Sequence, residues 1–376
     1  LTVGFIWDYN RTKIYYYKDY VEKWGVPQGI HKLSSNEVKH RLWNYRFEYT
    51  KYKLVRMSYV NSKGSLIDHN SSDEMDRPID MLLFYTSDNK LDYVKYRDRN
   101  EKVLYVKDYN EQLNVAVFKH DDEFGTEMNL AANSVTTFSS AFTDNQANKS
   151  KISRYLLTYD EDGHVIDIKY AGFQNIRVGD KDGIFGRKYI LDEKGRVKEE
   201  HFLGLDEKPK ATKSGMGIRT WEYNDNDDAV RFTYLTIDRQ PSGEAGLGIP
   251  VCENEFDKYG NEIRQVCKDM EGNLSLRKDA NIAGFEYELN DEGQKVMQRY
   301  IGTDGKPCYS STDGICGAKM EYDKNGYLIK MSYLDENGQP TLSKDGSSQW
   351  IAKTDNHGNY LEQTTFDLNG KPTETT

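Results

Sequence analysis

One glycine recurs along the C-terminal two-thirds of this chain at a nearly constant spacing. It stands at Gly163, Gly195, Gly260, Gly293, Gly326 and Gly358, and Asp227 fills the slot between the second and third. Subtracting successive positions gives steps of 32, 32, 33, 33, 33 and 32 residues. A period held this closely over seven units requires a repeat architecture, in which each unit buries its apolar face against its neighbours.

The text around the marker specifies the unit. An aromatic or apolar residue followed by Asp or Asn opens the turn in most units: Tyr159-Asp160, Leu191-Asp192, Tyr223-Asn224, Phe256-Asp257, Leu289-Asn290 and Tyr322-Asp323, with Thr354-Asp355 in the last. An Asp or Asn side chain there bonds the backbone ahead of it, and glycine takes positive φ without steric cost. This pattern predicts a type I turn with a glycine bulge closing a hairpin. Alternating residues follow, as in Tyr327 to Tyr333, and then a second turn containing proline at Pro209, Pro241, Pro307, Pro340 and Pro372. A third signal precedes the next unit at Asp182-Gly183, Asp313-Gly314 and Asp345-Gly346. Turns this dense between short alternating runs mean β-hairpins. The expected fold is mainly β: an elongated antiparallel β-hairpin repeat array of about 32–33 residues per unit. The acidic turns lack the spacing and distal glutamate of a calcium loop, so they read as turn chemistry.

These motifs resemble the YD, or Rhs-like, repeats of bacterial envelope proteins. They are more closely similar to longer-period variants reading roughly Y-D-x-x-G-N…Y-x-D-x-x-G-x-P…K-D-G. The resemblance covers about residues 154–376 and implies an extended, spiralling β-sheet in the extracytoplasmic region of a membrane-anchored protein. It brings no catalytic residue with it. The Asp227 unit and Asp269-Met270-Glu271-Gly272-Asn273, which lacks the proline, depart from the pattern.

Four segments are expected. Residues 1–45 read as a small helical N-terminal cap. Tyr17, Tyr20, Val21 and Trp24 fall at helical spacing, and Ser34-Ser35-Asn36-Glu37 is a capping box opening a second helix to about Trp43. A repeat array needs such a cap at its first edge. The run from Tyr17 through Val21 and Trp24-Gly25-Val26-Pro27 to Gly29-Ile30 also resembles a lead-in found just outside the membrane in the same proteins. Residues 46–130 carry less regular hairpins, residues 131–153 form a loop or junction, and residues 154–376 form the regular array. Leu1-Thr2-Val3-Gly4-Phe5-Ile6-Trp7 is apolar but too short to span a bilayer, so any membrane attachment would lie outside this chain.

Composition bounds the function. Of 376 residues, 28 are tyrosine, mean hydropathy is −0.84 and 37% are hydrophobic, which suits a thin β array with little deep core. A net charge of −10 argues against nucleic acid and anionic membrane surfaces as partners. Folding the hairpin about Gly260 places Cys252 nearly opposite Cys267, and Cys308 and Cys316 flank the turn at Asp313-Gly314. Two local disulfides are therefore expected, with an oxidising compartment, against the alternative of four reduced thiols in a cytosolic protein. Thus the expected location is extracytoplasmic, in the periplasm or on the cell surface.

No metal-ligand spacing, nucleophile elbow, P-loop or dinucleotide fingerprint occurs, and the seven histidines are scattered. No cofactor and no catalytic residue is assigned, and the chain reads as a non-enzyme. Gly215-Met216-Gly217, Gly246-Leu247-Gly248 and Gly314-Ile315-Cys316-Gly317 read as close strand crossings, not phosphate cradles. Three functions stay open. The first is an extracytoplasmic region that binds a protein, peptide or glycan through aromatic anchors such as Trp221 and Trp350, two residues that read equally as stacking between units. The second is a structural spacer or shell of Rhs-like repeats. The third is a hydrolase with an unrecognised carboxylate site.

Overall fold

The computed structural model describes residues 11–68, 78–129, 151–243 and 248–375. They are nearly all β: 23 strands assigned to one antiparallel sheet, one short α-helix and a 3-10 turn. The expectation of an antiparallel hairpin array holds. The chain divides into two compact units, one comprising Leu1–Ser34, Asn44–Val60 and Leu66–Lys213, the other Ser35–Trp43, Asn61–Ser65 and Ser214–Thr376.

The first unit contains β1 (Lys13–Lys23), β2 (Val26–Lys32), β3 (Asn44–Thr50), β4 (Lys53–Val60), β5 (Asp80–Tyr85), β6 (Leu91–Arg97), β7 (Val103–Tyr109) and β8 (Val115–Lys119). It continues through β9 (Arg154–Tyr159), β10 (Val165–Ala171), β11 (Gly186–Leu191) and β12 (Val197–Leu203). Strand β1 lies between β2 and β3, and from β3 onward each strand pairs with the next in sequence.

The helix expected over Lys13–Trp24 is a strand. Ile14-Tyr15-Tyr16-Tyr17 is rich in residues that pack well on a pleated surface. Tyr15 and Tyr17 stand opposite Phe47 and Tyr45, and the Tyr17–Phe47 and Tyr20–Tyr45 rings meet at 4.8 and 5.0 Å. Gly25, which resembled a helix stop, forms with Trp24 a two-residue hairpin turn in which both φ values are positive, 76° and 51°.

The abundant tyrosine has a structural use in this unit. Rings contact one another across successive strands: Tyr45–Tyr59, then Tyr96–Tyr105–Phe118–Tyr155–Tyr170, at centroid distances between 4.6 and 5.8 Å. Each is almost fully buried. Such cross-strand aromatic pairs fill a thin core with few atoms per residue and fix register.

The second unit contains α1 (Ser35–Lys39), β13 (Ile218–Tyr223), β14 (Ala229–Leu235), β15 (Val251–Phe256), β16 (Glu262–Lys268), β17 (Gly284–Leu289) and β18 (Lys295–Ile301). It ends with β19 (Gly317–Tyr322), β20 (Leu328–Leu334), β21 (Gln349–Thr354), β22 (Tyr360–Phe366) and β23 (Pro372–Thr375). Each strand pairs antiparallel with the next. The capping box does open a helix, but it is one turn long and stops short of His40.

The repeat is as regular in space as in sequence. A register shift falls immediately before the turn in every hairpin from β11–β12 to β21–β22, as at Glu255/Phe256 and Glu321/Tyr322. The marker residue then takes φ between 66° and 88°, including Asp227 at the low end. This is the bulged turn the sequence predicts, and Asp227 shows that the position demands the conformation, not the glycine itself. The proline turn also recurs: Leu203–Pro209, Leu235–Pro241, Ile301–Pro307 and Leu334–Pro340 each form an isolated antiparallel bridge. Gly317 is a close crossing as expected, because a Cβ added there would lie 2.2 Å from the Gln298 carbonyl oxygen.

Candidate functional site

The repeated turns are the most organised side-chain constellation. In each, one carboxylate or amide oxygen accepts two backbone N–H groups, from the residues two and four positions on. Asp160 takes Asp162 and His164 at 3.0 and 2.8 Å, Asn224 takes Asn226 and Asp228 at 2.9 and 3.0 Å, and Asp323 takes Asn325 and Tyr327 at 2.8 and 2.9 Å. The second oxygen or the amide then binds the side chain four residues on, as in Asn261 to Asp257 at 2.9 Å and Asn359 to Asp355 at 2.8 Å. Most of these turn carboxylates accept hydrogen bonds within their own loops, and Asp323 Oδ2 also accepts Thr354 Oγ1 at 3.1 Å.

The turns also engage one another. The residue after the marker packs on the next unit's marker: a Cβ added to Gly195 would lie 2.3 Å from His164 Nε2, and one at Gly358 would lie 2.4 Å from the Tyr327 ring. Gln294 donates from Nε2 to the Gly326 carbonyl at 3.3 Å. Glycine is needed at these turns twice over, for its φ and for the side chain laid across it. Tyrosine at the head of the turn reaches the other way. Tyr322 Oη donates to the Lys295 carbonyl at 2.8 Å and Tyr159 Oη to the Leu113 carbonyl at 2.7 Å.

Segments distant in sequence complete these rows. In the second unit, His40 to Leu42 lies on the Gly260 and Gly293 turns. Leu42 N–H donates to Asn261 Oδ1 at 2.8 Å, Asn261 Nδ2 donates to the His40 carbonyl at 2.8 Å, and the His40 and Tyr259 rings stack at 4.7 Å. Asn61 Nδ2 donates to the Asn325 carbonyl at 2.8 Å and Lys63 pairs with Glu292 at 3.1 Å. In the first unit, Trp24 N–H donates to the Gly163 carbonyl at 2.8 Å and its ring packs on Tyr159 at 4.7 Å. The turns are thus contacted by a hairpin tip in the first unit and by two short segments in the second.

Under that hairpin tip lies a group the sequence did not single out. Lys107 is 7% exposed, with its ammonium 5.2 Å from the Tyr109 ring. Burial raises the Glu22 carboxyl above its usual range, and Lys107 offsets this in part. Burial also drives the Tyr96 and Tyr109 hydroxyls well above theirs. For Lys107, burial is outweighed by Tyr96 and Glu22, so its ammonium is held more firmly than usual. The only sequence signal was the polar alternation of Lys107 within an apolar strand.

The aromatic anchors differ from each other. Trp350 is 9% exposed, stands opposite Met331 and meets the Tyr360 ring at 5.7 Å, so it packs between strands. Trp221 is half-buried, stands opposite Phe232 and carries the Arg219 guanidinium 5.4 Å from its ring. The two lie on separate strands, β13 and β21, with four hairpin turns between them in sequence. The cysteines, expected as two bonded pairs, are reduced thiols in this structure. Cys252 does stand directly opposite Cys267, with the sulfurs 3.9 Å apart, a contact and not a bond. Burial, then Cys308, pushes the Cys316 thiol up to about 11.

Among the described residues, no group of three or more His, Cys, Asp and Glu is arranged to hold a metal ion, and no helix is long and apolar enough to cross a membrane. Of the segment 131–153, read as a loop or junction, residues 131–150 lie outside the described residues, as do Leu1 to Trp7 and Gly246-Leu247. Asn273 donates from Nδ2 to Asp269 within its turn at 3.0 Å.

The turn carboxylates make one pH dependence predictable. Burial raises the Asp192 pKa, but Arg196 and two backbone N–H groups outweigh it and leave the carboxyl below its usual range. A depressed folded-state value stabilises the protein above the unfolded-state pKa of about 3.9, and that contribution fades as pH falls through the folded value. Asn224 and Asn290 show that asparagine keeps the turn. Asp192→Asn should therefore cost about 1 kcal/mol or less at pH 7. In urea titrations the difference from wild type should shrink from about pH 4 downward and vanish below the folded value; a difference that persisted in acid would contradict this origin.

No family model matches the chain, and no curated protein matches it. The comparison with solved structures finds chains several times longer than this one. One is titled "Crystal Structure of TcdB2-TccC3 without hypervariable C-terminal region", at 12% identity and a TM-score of 0.34, covering 86% of this chain and 14% of that one. Another is the "Photorhabdus luminescens Tc holotoxin pore" with the mutation TccC3-D651A, at 9% identity and a TM-score of 0.23, covering 90% and 19%. This chain therefore spans about a seventh to a fifth of those it matches, and at these scores the likeness carries no argument.

Proposed function

We propose that this chain is part of a YD- or Rhs-like repeat protein and serves as a non-catalytic structural scaffold. The observation that carries this reading is the turn-on-turn packing. The residues that define the repeat, the turn Asp or Asn, the marker glycine and the residue after it, spend their polar atoms and their free space on the neighbouring unit. Side chains committed to such contacts hold an array together and leave little chemistry for a substrate. The resemblance of the motifs and the paired cysteine positions support export to an extracytoplasmic site in a bacterium, with any anchor outside this chain.

A second reading, a region that binds a protein, peptide or glycan, has one specific support. Trp221 and Arg219 form a half-buried aromatic–cation pair on β13, the kind of group that anchors partners. A screen of soluble envelope glycans, immobilised peptides and chromogenic hydrolase substrates separates the readings. The scaffold gives neither saturable binding nor turnover. Saturable binding weakened tenfold or more by Trp221→Ala would replace it with the second reading. Turnover that persists through repurification would overturn the non-catalytic reading altogether.

A further inference from the structure

We infer that Cys252 and Cys267 are a built disulfide site, closed when the chain folds in the presence of a disulfide oxidant. The case begins with register. The two residues are direct cross-strand partners in the β15–β16 ladder. Cys267 sends its N–H to the Ala283 carbonyl at 2.7 Å and accepts the Ser275 N–H at 2.9 Å. Both main-chain groups of Cys267 therefore point away from β15, and Cys252–Cys267 is a non-hydrogen-bonded pair. Such pairs bring their Cα atoms to about 4.5 Å, the closer of the two antiparallel spacings. That lies within the Cα range a disulfide accepts, about 4.4–6.8 Å. The sulfurs already touch at 3.9 Å, on the same face of the sheet.

The repeat itself supplies an independent argument. The place that Cys267 occupies in its unit is held by Tyr234, Tyr300 and Tyr333 in others, each donating its N–H to the carbonyl at the head of the following hairpin. In the next unit the corresponding cross-strand pair is Phe285–Tyr300, whose rings pack edge to face at 5.6 Å. The corresponding pairs are Arg219–Tyr234 and Ala318–Tyr333 in two other units, so this unit alone of the four places a cysteine on both strands. Two thiols fill far less of the layer than two rings, and both are buried, at 7% and 1% exposure. A covalent bond across the ladder would tie the two strands as the Phe285–Tyr300 ring contact does in the next unit.

Cys308 and Cys316 extend the inference by separate geometry. Cys308 donates its N–H to the Tyr300 carbonyl at 3.1 Å, and Tyr300 donates its own N–H to the Cys316 carbonyl at 2.8 Å. One residue thus brackets both cysteines on the same side of β18.

The chemistry balances with a small-molecule disulfide such as oxidised glutathione. A cysteine thiolate attacks its S–S bond, forming a mixed disulfide and releasing one glutathione thiolate. The facing thiolate then displaces the second, so each pair loses two electrons and two protons and the glutathione disulfide is reduced to two thiols. Because Cys252 and Cys267 are buried, exchange takes place before the sheet closes.

The test is to refold the reduced chain in a glutathione redox buffer, alkylate residual thiols, and map peptides under non-reducing conditions. The expected result is Cys252 linked to Cys267 and Cys308 linked to Cys316, with reduction lowering Tm by at least about 5 °C. The double variant Cys252→Val with Cys267→Val keeps the buried volume; it should fold, retain the Cys308–Cys316 link and lose the larger part of the Tm response to reductant. Four alkylated thiols after refolding to the native β circular-dichroism signature, or links joining either member of one pair to the other, would overturn the inference.

Discussion

Asp80→Ala lowers the unfolding free energy of the first unit by about 3–5 kcal/mol, the cost of leaving buried cations without their anion. Asp80 opens β5 with its side chain fully buried. Its Oδ1 accepts Arg56 Nε at 2.8 Å and Ser58 Oγ at 2.7 Å, and its Oδ2 accepts Arg97 Nε at 2.6 Å. Ser58 and Arg97 are its cross-strand partners on β4 and β6, so one carboxylate ties three strands. Removing it strands two guanidinium groups that have lost most of their contact with water. Glu101 reaches the same two arginines, at 2.8 and 3.2 Å, but it is 46% exposed and its removal should cost less than about 1 kcal/mol. Urea denaturation of the two alanine variants at pH 7 checks the contrast. Equal small losses would mean the arginines relax into solvent and the network is not a structural centre.

The second large effect concerns the repeat as a unit of structure. Deleting residues 323–354 removes one whole period and should leave a folded protein. Tyr322 would then run into Asp355-Asn356-His357-Gly358, a turn of the same type with the same bulge and the same positive φ at its glycine, 79° in place of 87°. The backbone carbonyl that receives Asn61 would be supplied by His357 in place of Asn325. Deleting residues 323–338 removes about half a period. It joins β19 to the proline turn, removes β20, which pairs with both β19 and β21, and leaves Gln294 and Asn61 without their turn. Every later strand would then have to run in the opposite direction to keep the antiparallel ladder. The expected outcome is loss of cooperative folding in the second unit.

How much of this was readable in the chain follows from where the information is local. The hairpin turns were legible because Asp or Asn at the first position and Gly at the marker are dictated by φ and by hydrogen bonds within five residues. The bulge before Tyr322 and the crossing at Gly317 follow from the same local chemistry. The facing of Cys252 and Cys267 was legible because the turn fixes the register of its own hairpin. The strand over Lys13–Lys23 was misread because its aromatic residues satisfy helical spacing and β preference together. Only β3, some thirty residues on, decides between them by presenting Phe47 and Tyr45. The burial of Asp80 was hidden for a similar reason: its arginines lie on two other strands, and one acidic residue beside Pro78-Ile79 carries no sign of them. Least legible of all was the placement of His40 to Leu42 on the turns at Gly260 and Gly293. Asn261, which ties it there, is 219 residues from Leu42. Trp350 looked like an exposed anchor because its burial depends on Tyr360 and Met331 across two ladders.

The central claim is that these 32–33-residue units are interchangeable steps of one array, joined through their turns. The measurement that tests it most directly is a matched pair of thermal melts followed by far-ultraviolet circular dichroism, on the in-register deletion of 323–354 and the half-period deletion of 323–338. The account predicts a cooperative transition for the first within several degrees of the parent and a lost or broadened transition for the second. If both deletions melt alike, whether both fold or both fail, the period read from the sequence is not the unit of the structure.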